Sequence, residues 1–332
     1  MNRIVTVIGC GGFGTAIALV LRENGHEVRM WGHDKENVAR MQRDHVNQRY
    51  LDDVPIPEDV LITTEPQEAV EHSRLVVSAV PTRHLRSVME SFRDQLSGRV
   101  PIISVTKGIE PETLLRPSQI LEEFFPNHTI SILSGPSHAE EVARRIPSSV
   151  VVADESRERA KRLQKFLNTS RFRVYANTDP VGVELAGALK NVIAIAAGIC
   201  DGLGFGDNTK SALVTRGLVE IVRLATRLGA KKETFAGLAG VGDLITTSFS
   251  RHGRNRWVGQ RLGEGIPIEQ VLRETTKVAE GVETSRACLT LARRHRVEMP
   301  IAREVYEILF EGKNPREALE SLMSRSSKTE SW

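Results

Sequence analysis

The stretch IVTVIGCGGFGTAIA, residues 4–18, decides the fold of the first part of the chain. It opens with a compact apolar run typical of a buried parallel strand, and helical spacing follows Gly14. Between them, Gly9, Gly11 and Gly14 fit the pattern G-x-G-x-x-G. These glycines would allow a tight turn, a close approach of the backbone to a pyrophosphate, and close packing of helix on strand. The stretch therefore predicts a dinucleotide-binding turn; a glycine-rich turn that binds nothing is the alternative.

Strands and helices alternate along the first half of the chain. The helix over Gly14–Asn24 is expected to end at Gly25. The predicted strands are Ile4–Gly9, Glu27–Trp31, Leu75–Val80, Val100–Val105, Thr129–Leu133 and Ser149–Ala153. Strands that alternate with helices form βαβ units, and their strands lie parallel in a sheet covered on both faces. We therefore expect an α/β fold with a Rossmann-type doubly wound parallel sheet.

The pattern becomes mostly helical after about residue 178. Asp179 and Pro180 suit the N-cap and first position of a helix. The predicted helices are Asp179–Cys200, Lys210–Leu228, Ile268–Thr275, Glu280–Arg294 and Arg303–Phe310. We expect residues 1–178 to form an NAD(P)-binding domain. We expect residues 179–332 to form a second, all-α C-terminal domain for substrate binding and catalysis.

Composition and charge narrow the class of protein. The 332 residues carry a formal net charge of +3, and lysine and arginine are spread along the chain without a long run. This balance does not predict nucleic-acid binding, and it fits a small anionic substrate at least as well. Cys10, Cys200 and Cys288 are odd in number and far apart, so neither a disulfide framework nor a metal site is expected.

The sequence also bears on location. Its start, Met-Asn-Arg followed by an apolar strand, does not resemble a cleavable leader. The longest candidate membrane stretch, Val192–Cys200, is about half the length that a spanning helix needs. We therefore expect a cytoplasmic protein with no integral membrane segment.

The choice of cofactor depends on the end of the second strand. A carboxylate there usually binds the ribose hydroxyls of NAD, whereas a cation or neutral residue accommodates the 2′-phosphate of NADP. The strand ends at Trp31 and continues Gly32-His33-Asp34, so His33 stands near the place of the carboxylate. Asp34 is interpreted as a turn or N-cap residue in preference to a ribose ligand. NADP and NAD both remain open as cofactors.

Small and polar residues follow three later strands. Val80-Pro81-Thr82 follows one strand, Ser104 to Gly108 follows the next, and Ser134 to Ser137 follows a third. Ligands of doubly wound sheets bind at this carboxyl edge. Lys107 would point into such a crevice, although an ordinary loop lysine is an equal alternative.

Lys190 interrupts the most apolar helix of the second half. It could reach solvent by snorkelling. The alternative is a partly desolvated amine with a lowered pKa, suited to giving a proton to the alkoxide that hydride transfer creates at a ketone.

Two further segments carry candidate residues. Asp243 ends the glycine-rich run GLAGVGD, where an exposed turn residue is the alternative interpretation. Arg254 and Asn255 form a pair suited to a phosphate dianion, although a solvated basic turn is equally plausible.

Taken together, the motifs make the chain resemble the bacterial NAD(P)-dependent glycerol-3-phosphate dehydrogenases over nearly its whole length. The stretches that carry the resemblance are VIGCGGFGTAIA, NGHEV, MWGHD, SVTKG, LSGPSHAEEV, GVELAGALKNVIAIAAGICDGLGFGDNTKSAL, GLAGVGDLITT, GRNRWVG, VAEGVET and EMPI. The resemblance implies interconversion of dihydroxyacetone phosphate and sn-glycerol 3-phosphate with NAD(P)H, which supplies phospholipid synthesis. The implied partners are these small molecules, with a homodimer as a possible assembly.

The resemblance also implies residue roles. Lys190 matches the proton donor and acceptor, and Lys107 matches a lysine that touches both cofactor and substrate. The implied substrate-binding set is Lys107, Gly135, Lys190, Asp243, Gly253, Arg254 and Asn255. The implied cofactor-binding set is Gly9, Gly11, Gly12, Phe13, Gly14, His33, Lys107, Ser137, Ala139, Arg254, Val278 and Glu280.

The chain departs from the family pattern at two glycines. Gly253 and Gly12 both stand where relatives commonly carry serine, so a hydroxyl contact is in doubt at each position. Two other hypotheses remain open. One is a related two-domain reductase of a β-hydroxy acid or an imine, and the other is a catalytically silent dinucleotide sensor.

Overall fold

The computed structural model describes residues 3–96, 98–274, 279–326 and 329–330. The chain divides into two units. The first contains residues 1–107 and 116–180, and the second contains residues 108–115 and 181–332. The short segment 108–115 thus belongs with the second unit although it lies within the first half of the sequence.

Ten strands lie in the described part of the first unit. They are β1 Ile4–Ile8, β2 Glu27–Trp31, β3 Val46–Asn47, β4 Leu51–Pro55, β5 Leu61–Thr63, β6 Leu75–Ser78, β7 Ile102–Ser104, β8 Ile130–Ser134, β9 Ser148–Ala153 and β10 Phe172–Asn177. Its helices are α1 Gly12–Glu23, α2 Lys35–Asp44, α3 Pro66–Val70, α4 Thr82–Glu90, α5 Pro117–Phe124, α6 Ala139–Ala143 and α7 Arg157–Leu167. β3 and β4 form a small antiparallel pair, and the other eight strands form one sheet in the order β10-β9-β8-β7-β6-β1-β2-β5.

The predicted doubly wound sheet is confirmed, with one difference in direction. β9 runs antiparallel to β8, whereas every other neighbouring pair in the large sheet is parallel. The link between β8 and β9 contains only the five-residue helix α6. An antiparallel return needs no long crossover, so this short link is sufficient. The edge strand β10, where buried Phe172 and Val174 alternate with exposed residues, was not predicted.

A buried apolar cluster joins the central strands of the first unit to α1. Val5, Val7 and Val77 pack with Ile17 and Leu21 of α1 in one buried cluster. α1 ends where expected, because Gly25 adopts a φ of 77° and its N–H donates to the Arg22 carbonyl oxygen. This positive φ favours glycine over residues with a side chain.

The described part of the second unit is helical, as predicted. Its helices are α8 Pro180–Gly202, α9 Asp207–Arg227, α10 Asp243–Phe249, α11 Arg254–Gly263, α12 Ile268–Arg273, α13 Glu280–Arg294, α14 Pro300–Phe310 and α15 Pro315–Met323. A 3₁₀ turn, Lys232–Ala236, and a π-helical turn, Leu238–Gly242, precede α10.

α8 is the central helix of the second unit. At 23 residues it is longer than the predicted apolar stretch, and it is long and apolar enough by composition to cross a membrane. Its most apolar window is fully buried within the fold, and the core helix of a globular unit has the same length and composition. The apolar stretch predicted from the sequence, Val192–Cys200, was therefore too short, because the apolar run continues on the N-terminal side of Lys190.

Four glycines bring α8 and α11 into close contact. A Cβ at Gly198 or Gly202 of α8 would overlap the backbone of Arg256 or Gln260, and a Cβ at Gly259 or Gly263 of α11 would overlap the backbone of α8. Both pairs are spaced four residues apart, so each lies along one helix face. This contact fixes the start of α11 relative to α8.

Candidate functional site

The glycine turn of the first unit has the shape that a pyrophosphate needs. Gly9 adopts a φ of 108°, and a Cβ there would lie 2.7 Å from the Ala79 carbonyl oxygen. A Cβ at Gly14 would overlap the Gly9 carbonyl oxygen, whereas the space beside Gly11 is open to 4 Å. Gly11 is the N-cap of α1, and no side chain in the described residues caps this helix. The turn therefore directs first-turn N–H groups and a positive helix end into open space, which suits a phosphate.

Gly12 and Ala139 lie against each other on α1 and α6. A Cβ at Gly12 would be 3.3 Å from the Ala139 Cβ, a distance at which neighbours must shift. This crowding is a physical reason for glycine in place of serine. Phe13 is partly buried against the apolar cluster of the unit.

Asp34 caps α2 and does not stand free beside the ribose position. Its carboxylate accepts the Asn37 N–H at 3.0 Å and pairs with Arg49 at 3.1 Å. The backbone hydrogen bond, with help from Arg49, holds the pKa of this carboxyl below its usual value. The N-cap interpretation of Asp34 is confirmed, and His33 is exposed just before it.

Lys107, Gly135 and Ser137 meet at the carboxyl edge of the sheet. The Lys107 Nζ donates to the Gly135 carbonyl oxygen at 3.0 Å and lies 3.4 Å from the Ser137 Oγ. Gly135 adopts a φ of 125°, which residues with a side chain rarely adopt, and a Cβ there would lie 3.1 Å from the Val150 Cα. The fold thus brings together three predicted residues that follow two different strands.

Lys190 is buried and ion-paired, so it does not snorkel. Its residue is 5% exposed, and its Nζ donates to the Asp243 Oδ1 at 2.5 Å and to the Thr247 Oγ1. Asp243 is 2% exposed at the start of α10, which excludes the exposed-turn interpretation. The carboxylate stabilises the ammonium form of the lysine, the form that can donate a proton.

Thr247 was missed by the sequence reasoning. It lies one helical turn after Asp243 on the same face of α10, and both side chains contact the Lys190 amine. The spacing of four residues was the available signal, but it required a helix over Asp243–Phe249 that had not been predicted.

Arg254 and Asn255 lie in the first turn of α11. Asn255 is buried, and its Oδ1 accepts the Gly281 N–H at 3.0 Å, which ties α11 to α13. Arg254 is exposed. Gly253 is the N-cap, and a Cβ there would lie 2.7 Å from the Thr247 carbonyl oxygen. Glycine therefore replaces serine where α10 passes closely beneath the start of α11.

Three of the residues expected to bind the cofactor lie apart from the glycine turn in the chain. Arg254 and Glu280 belong to the second unit, where Glu280 begins α13. Val278 lies outside the described residues. Among those described, no group of three or more His, Cys, Asp or Glu side chains is placed to hold a metal ion.

Two family models match the chain. Residues 4–160 match the N-terminal domain of NAD-dependent glycerol-3-phosphate dehydrogenase, and residues 179–320 match the C-terminal domain.

Similar proteins with curated names cover nearly the full length. Glycerol-3-phosphate dehydrogenase [NAD(P)+] of Bacillus pumilus is 48% identical over 97% of this chain and 94% of its own. The enzyme of the same name from Geobacillus thermodenitrificans is 49% identical over 98% and 96%. The crystal structure of glycerol-3-phosphate dehydrogenase from Coxiella burnetii is 35% identical with a TM-score of 0.94, covering 98% of this chain and 99% of that one. The chain belongs to the NAD-dependent glycerol-3-phosphate dehydrogenase family.

Proposed function

We propose that the chain interconverts dihydroxyacetone phosphate and sn-glycerol 3-phosphate with NAD(P)H or NAD(P)+ and so supplies glycerol 3-phosphate for phospholipid synthesis. Family membership supports this reaction. The observation that supports it most directly is the buried group of Lys190, Asp243 and Thr247. In this group the Lys190 amine is hydrogen-bonded to two side-chain oxygens and is positioned as a proton donor.

Lys190 is the proton donor in the reduction. When bound, NAD(P)H would supply a hydride to the C2 carbonyl carbon of the substrate, and the carbonyl π electrons would move to the oxygen. The Lys190 Nζ gives one proton to that oxygen and is left as a neutral amine, which regains a proton from solvent after turnover. Asp243 and Thr247 orient the amine and stabilise its charged form before transfer.

The start of α11 binds the substrate phosphate. The Arg254 guanidinium can contact two phosphate oxygens at once, and the first-turn N–H groups add a positive helix end. The Asn255 oxygen is held by Gly281, which leaves its amide N–H₂ as the donor. Gly253 offers backbone only, so selectivity for a phosphate depends on Arg254 and Asn255.

Residues 1–178 bind the cofactor in this proposal, and residues 179–332 bind substrate and supply the acid. The turn Gly9 to Gly14, which includes Gly12 and Phe13, holds the pyrophosphate, and Ala139 lies against Gly12. His33 and Ser137 are assigned to the cofactor by family resemblance. Lys107 contacts cofactor and substrate, and Gly135 positions it through the hydrogen bond described above. Arg254, Val278 and Glu280 are assigned to the cofactor by family resemblance. A cytoplasmic location and a homodimer complete the proposal, supported by family resemblance.

The decisive experiment replaces Lys190 by methionine and measures reduction of dihydroxyacetone phosphate. Loss of a positioned acid should lower kcat by about 10²- to 10⁴-fold. Lys210→Met is the matched control, because Lys210 is equally buried and pairs with Asp201, which keeps Arg256 as a second partner. This control should keep turnover close to the wild type. Near-normal turnover of Lys190→Met would refute the proton-transfer role.

The substrate class is tested with unphosphorylated dihydroxyacetone. The wild type should prefer the phosphorylated ketone, and Arg254→Gln should lose most of that preference through a higher KM. Equal rates on both ketones would favour a reductase of another substrate, and nucleotide binding without any reduction would favour a silent sensor.

A further inference from the structure

Two cations from different helices share one carboxylate in the second unit. Asp201, in the last turn of α8, accepts hydrogen bonds from the Lys210 Nζ at 2.8 Å through both of its carboxylate oxygens. The Arg256 Nε lies 2.6 Å from the Oδ2 of the same carboxylate. Lys210 belongs to the first turn of α9, and Arg256 belongs to the first turn of α11. Asp201 therefore joins the end of α8 to the starts of two other helices.

The ion pair between Asp201 and Arg256 acts together with the glycine contact between α8 and α11. A Cβ at Gly198 would overlap the Arg256 carbonyl oxygen, and a Cβ at Gly202 would overlap the Gln260 carbonyl oxygen. Glycine brings the two helices close together, but it has no side chain that could oppose a rotation of α11 about its own axis. The ion pair holds one side chain of α11, so it adds that directional constraint.

Arg256 directly follows the two residues that are proposed to bind the substrate phosphate. Successive side chains of an α-helix point about 100° apart, so Arg254 and Arg256 face different directions. The Arg254 residue is exposed, whereas the Arg256 side chain is 20% exposed and faces the α8 carboxylate. A rotation of α11 that separates Arg256 from Asp201 would turn Arg254 through the same angle. The orientation of the proposed phosphate ligands therefore depends on this ion pair.

The charge of Asp201 opposes the binding of an anion nearby. Without this carboxylate, Lys210 and Arg256 would both lose their negative partner near the start of α11. On charge alone, this change would strengthen the binding of a phosphate dianion. If Asp201 instead acts by orienting α11, its loss would weaken the binding. The two explanations therefore predict changes of opposite sign in the affinity for substrate.

We propose that Asp201 is a positioning residue for the substrate phosphate. Through its ion pair with Arg256 it fixes the rotation of α11, so that Arg254 and Asn255 meet the phosphate in the correct orientation. The inference rests on the proposed phosphate-binding role of α11 and adds a residue that acts through this helix. Lys210 is not needed for the role, because its contacts are with Asp201 and with the Phe249 ring of α10, 4.6 Å from the Nζ.

The first test is the steady-state reduction of dihydroxyacetone phosphate by Asp201→Asn. Asparagine has nearly the same shape as aspartate but no charge to hold the guanidinium. The KM for dihydroxyacetone phosphate should rise about tenfold, because the phosphate ligands are misoriented. The kcat should stay within about threefold of the wild type, because Lys190 and Asp243 are unchanged.

Variants of Arg256 test whether the effect passes through the ion pair. Arg256→Gln should also raise the KM, and its combination with Asp201→Asn should be no worse than the worse single variant, since both substitutions break the same contact. Arg256→Lys keeps a cation for the Asp201 carboxylate. Its KM should therefore lie between those of the wild type and Arg256→Gln.

Asp207→Asn is the matched control, because it makes the same substitution at an exposed carboxylate in the first turn of α9. It should keep the wild-type KM. Hydrogen exchange followed by mass spectrometry gives a readout that does not depend on substrate. Amides of residues 257–260 should exchange faster in Asp201→Asn than in the wild type, whereas those of α14 should keep the wild-type rate.

The outcomes separate this inference from the proposed reaction. An unchanged or lower KM in Asp201→Asn, additive effects in the double variant, or wild-type exchange in α11 would overturn the positioning role. A wild type that does not reduce dihydroxyacetone phosphate, together with faster α11 exchange in Asp201→Asn, would refute the proposed reaction. That result would leave the link between Asp201 and α11 standing.

Discussion

Replacing Glu220 by glutamine is expected to remove a pH-dependent loss of stability from the second unit. Glu220 lies on α9 and is 3% exposed. Its carboxylate accepts the Ile301 N–H at 2.8 Å and the Ala302 N–H at 3.2 Å, at the start of α14. Burial raises the pKa of this carboxyl from 4.5 to about 7, although the two N–H groups, Arg223 and Arg325 oppose the shift.

The sign of the effect follows from the direction of the shift. Between pH 4.5 and 7 the folded chain holds a proton on Glu220 that the unfolded chain has released. Stability therefore falls as pH rises through this window and is level on either side of it. A shift of this size corresponds to about 3 kcal/mol at most.

The assay is urea unfolding followed by circular dichroism at pH 5 and pH 8. Glutamine cannot ionise but keeps one carbonyl oxygen for the α14 N–H groups. Relative to the wild type, Glu220→Gln should therefore gain about 2–3 kcal/mol of unfolding free energy when the pH is raised from 5 to 8. Glu233→Gln, at an exposed carboxylate of the same unit, should show no such shift. Parallel stability profiles for the wild type and Glu220→Gln would refute the reasoning.

Two other substitutions probe the packing and the acid. Gly259→Ala should lower the free energy of unfolding by about 1–3 kcal/mol, because its methyl group would overlap the Ile195 carbonyl oxygen. A urea midpoint equal to that of the wild type would contradict the close contact between α8 and α11. Asp243→Asn should lower kcat by about tenfold or more, since the Lys190 ammonium loses its carboxylate partner. NADPH fluorescence titration should show unchanged cofactor binding in this variant, and wild-type turnover would show that the carboxylate is dispensable.

Local patterns in the sequence were sufficient to predict most of the strands and helices of the first unit's large sheet. The turn from Gly9 to Gly14 is bounded by a strand and a helix as predicted, because the spacing of its glycines is a local pattern: a Cβ at Gly14 would overlap the Gly9 carbonyl oxygen five residues earlier. The strand direction of β9 did not follow from such patterns. An apolar run has the same appearance in either direction, and only its pairing with β8 decides which one it takes.

The helices near the candidate acid were harder to predict. α10 and α11 are short, and glycine or polar residues lie in or beside them. Both helices depend on contacts with α8. Without them, the sequence could name Lys190 and Asp243 but not place Thr247 beside both. Likewise, the assignment of residues 108–115 to the second unit depends on contacts with residues far away in the chain.

The sequence by itself determined the class of fold, the glycine turn and the identity of the chemically useful side chains, because each depends on residue type and short spacing. Tertiary structure decided the state of those side chains. Only packing buries Lys190 against Asp243 and Thr247. Lys190 lies 53 residues from Asp243 and 57 from Thr247 in the chain, so no local pattern shows these contacts, and the surrounding fold selects them through burial and distance.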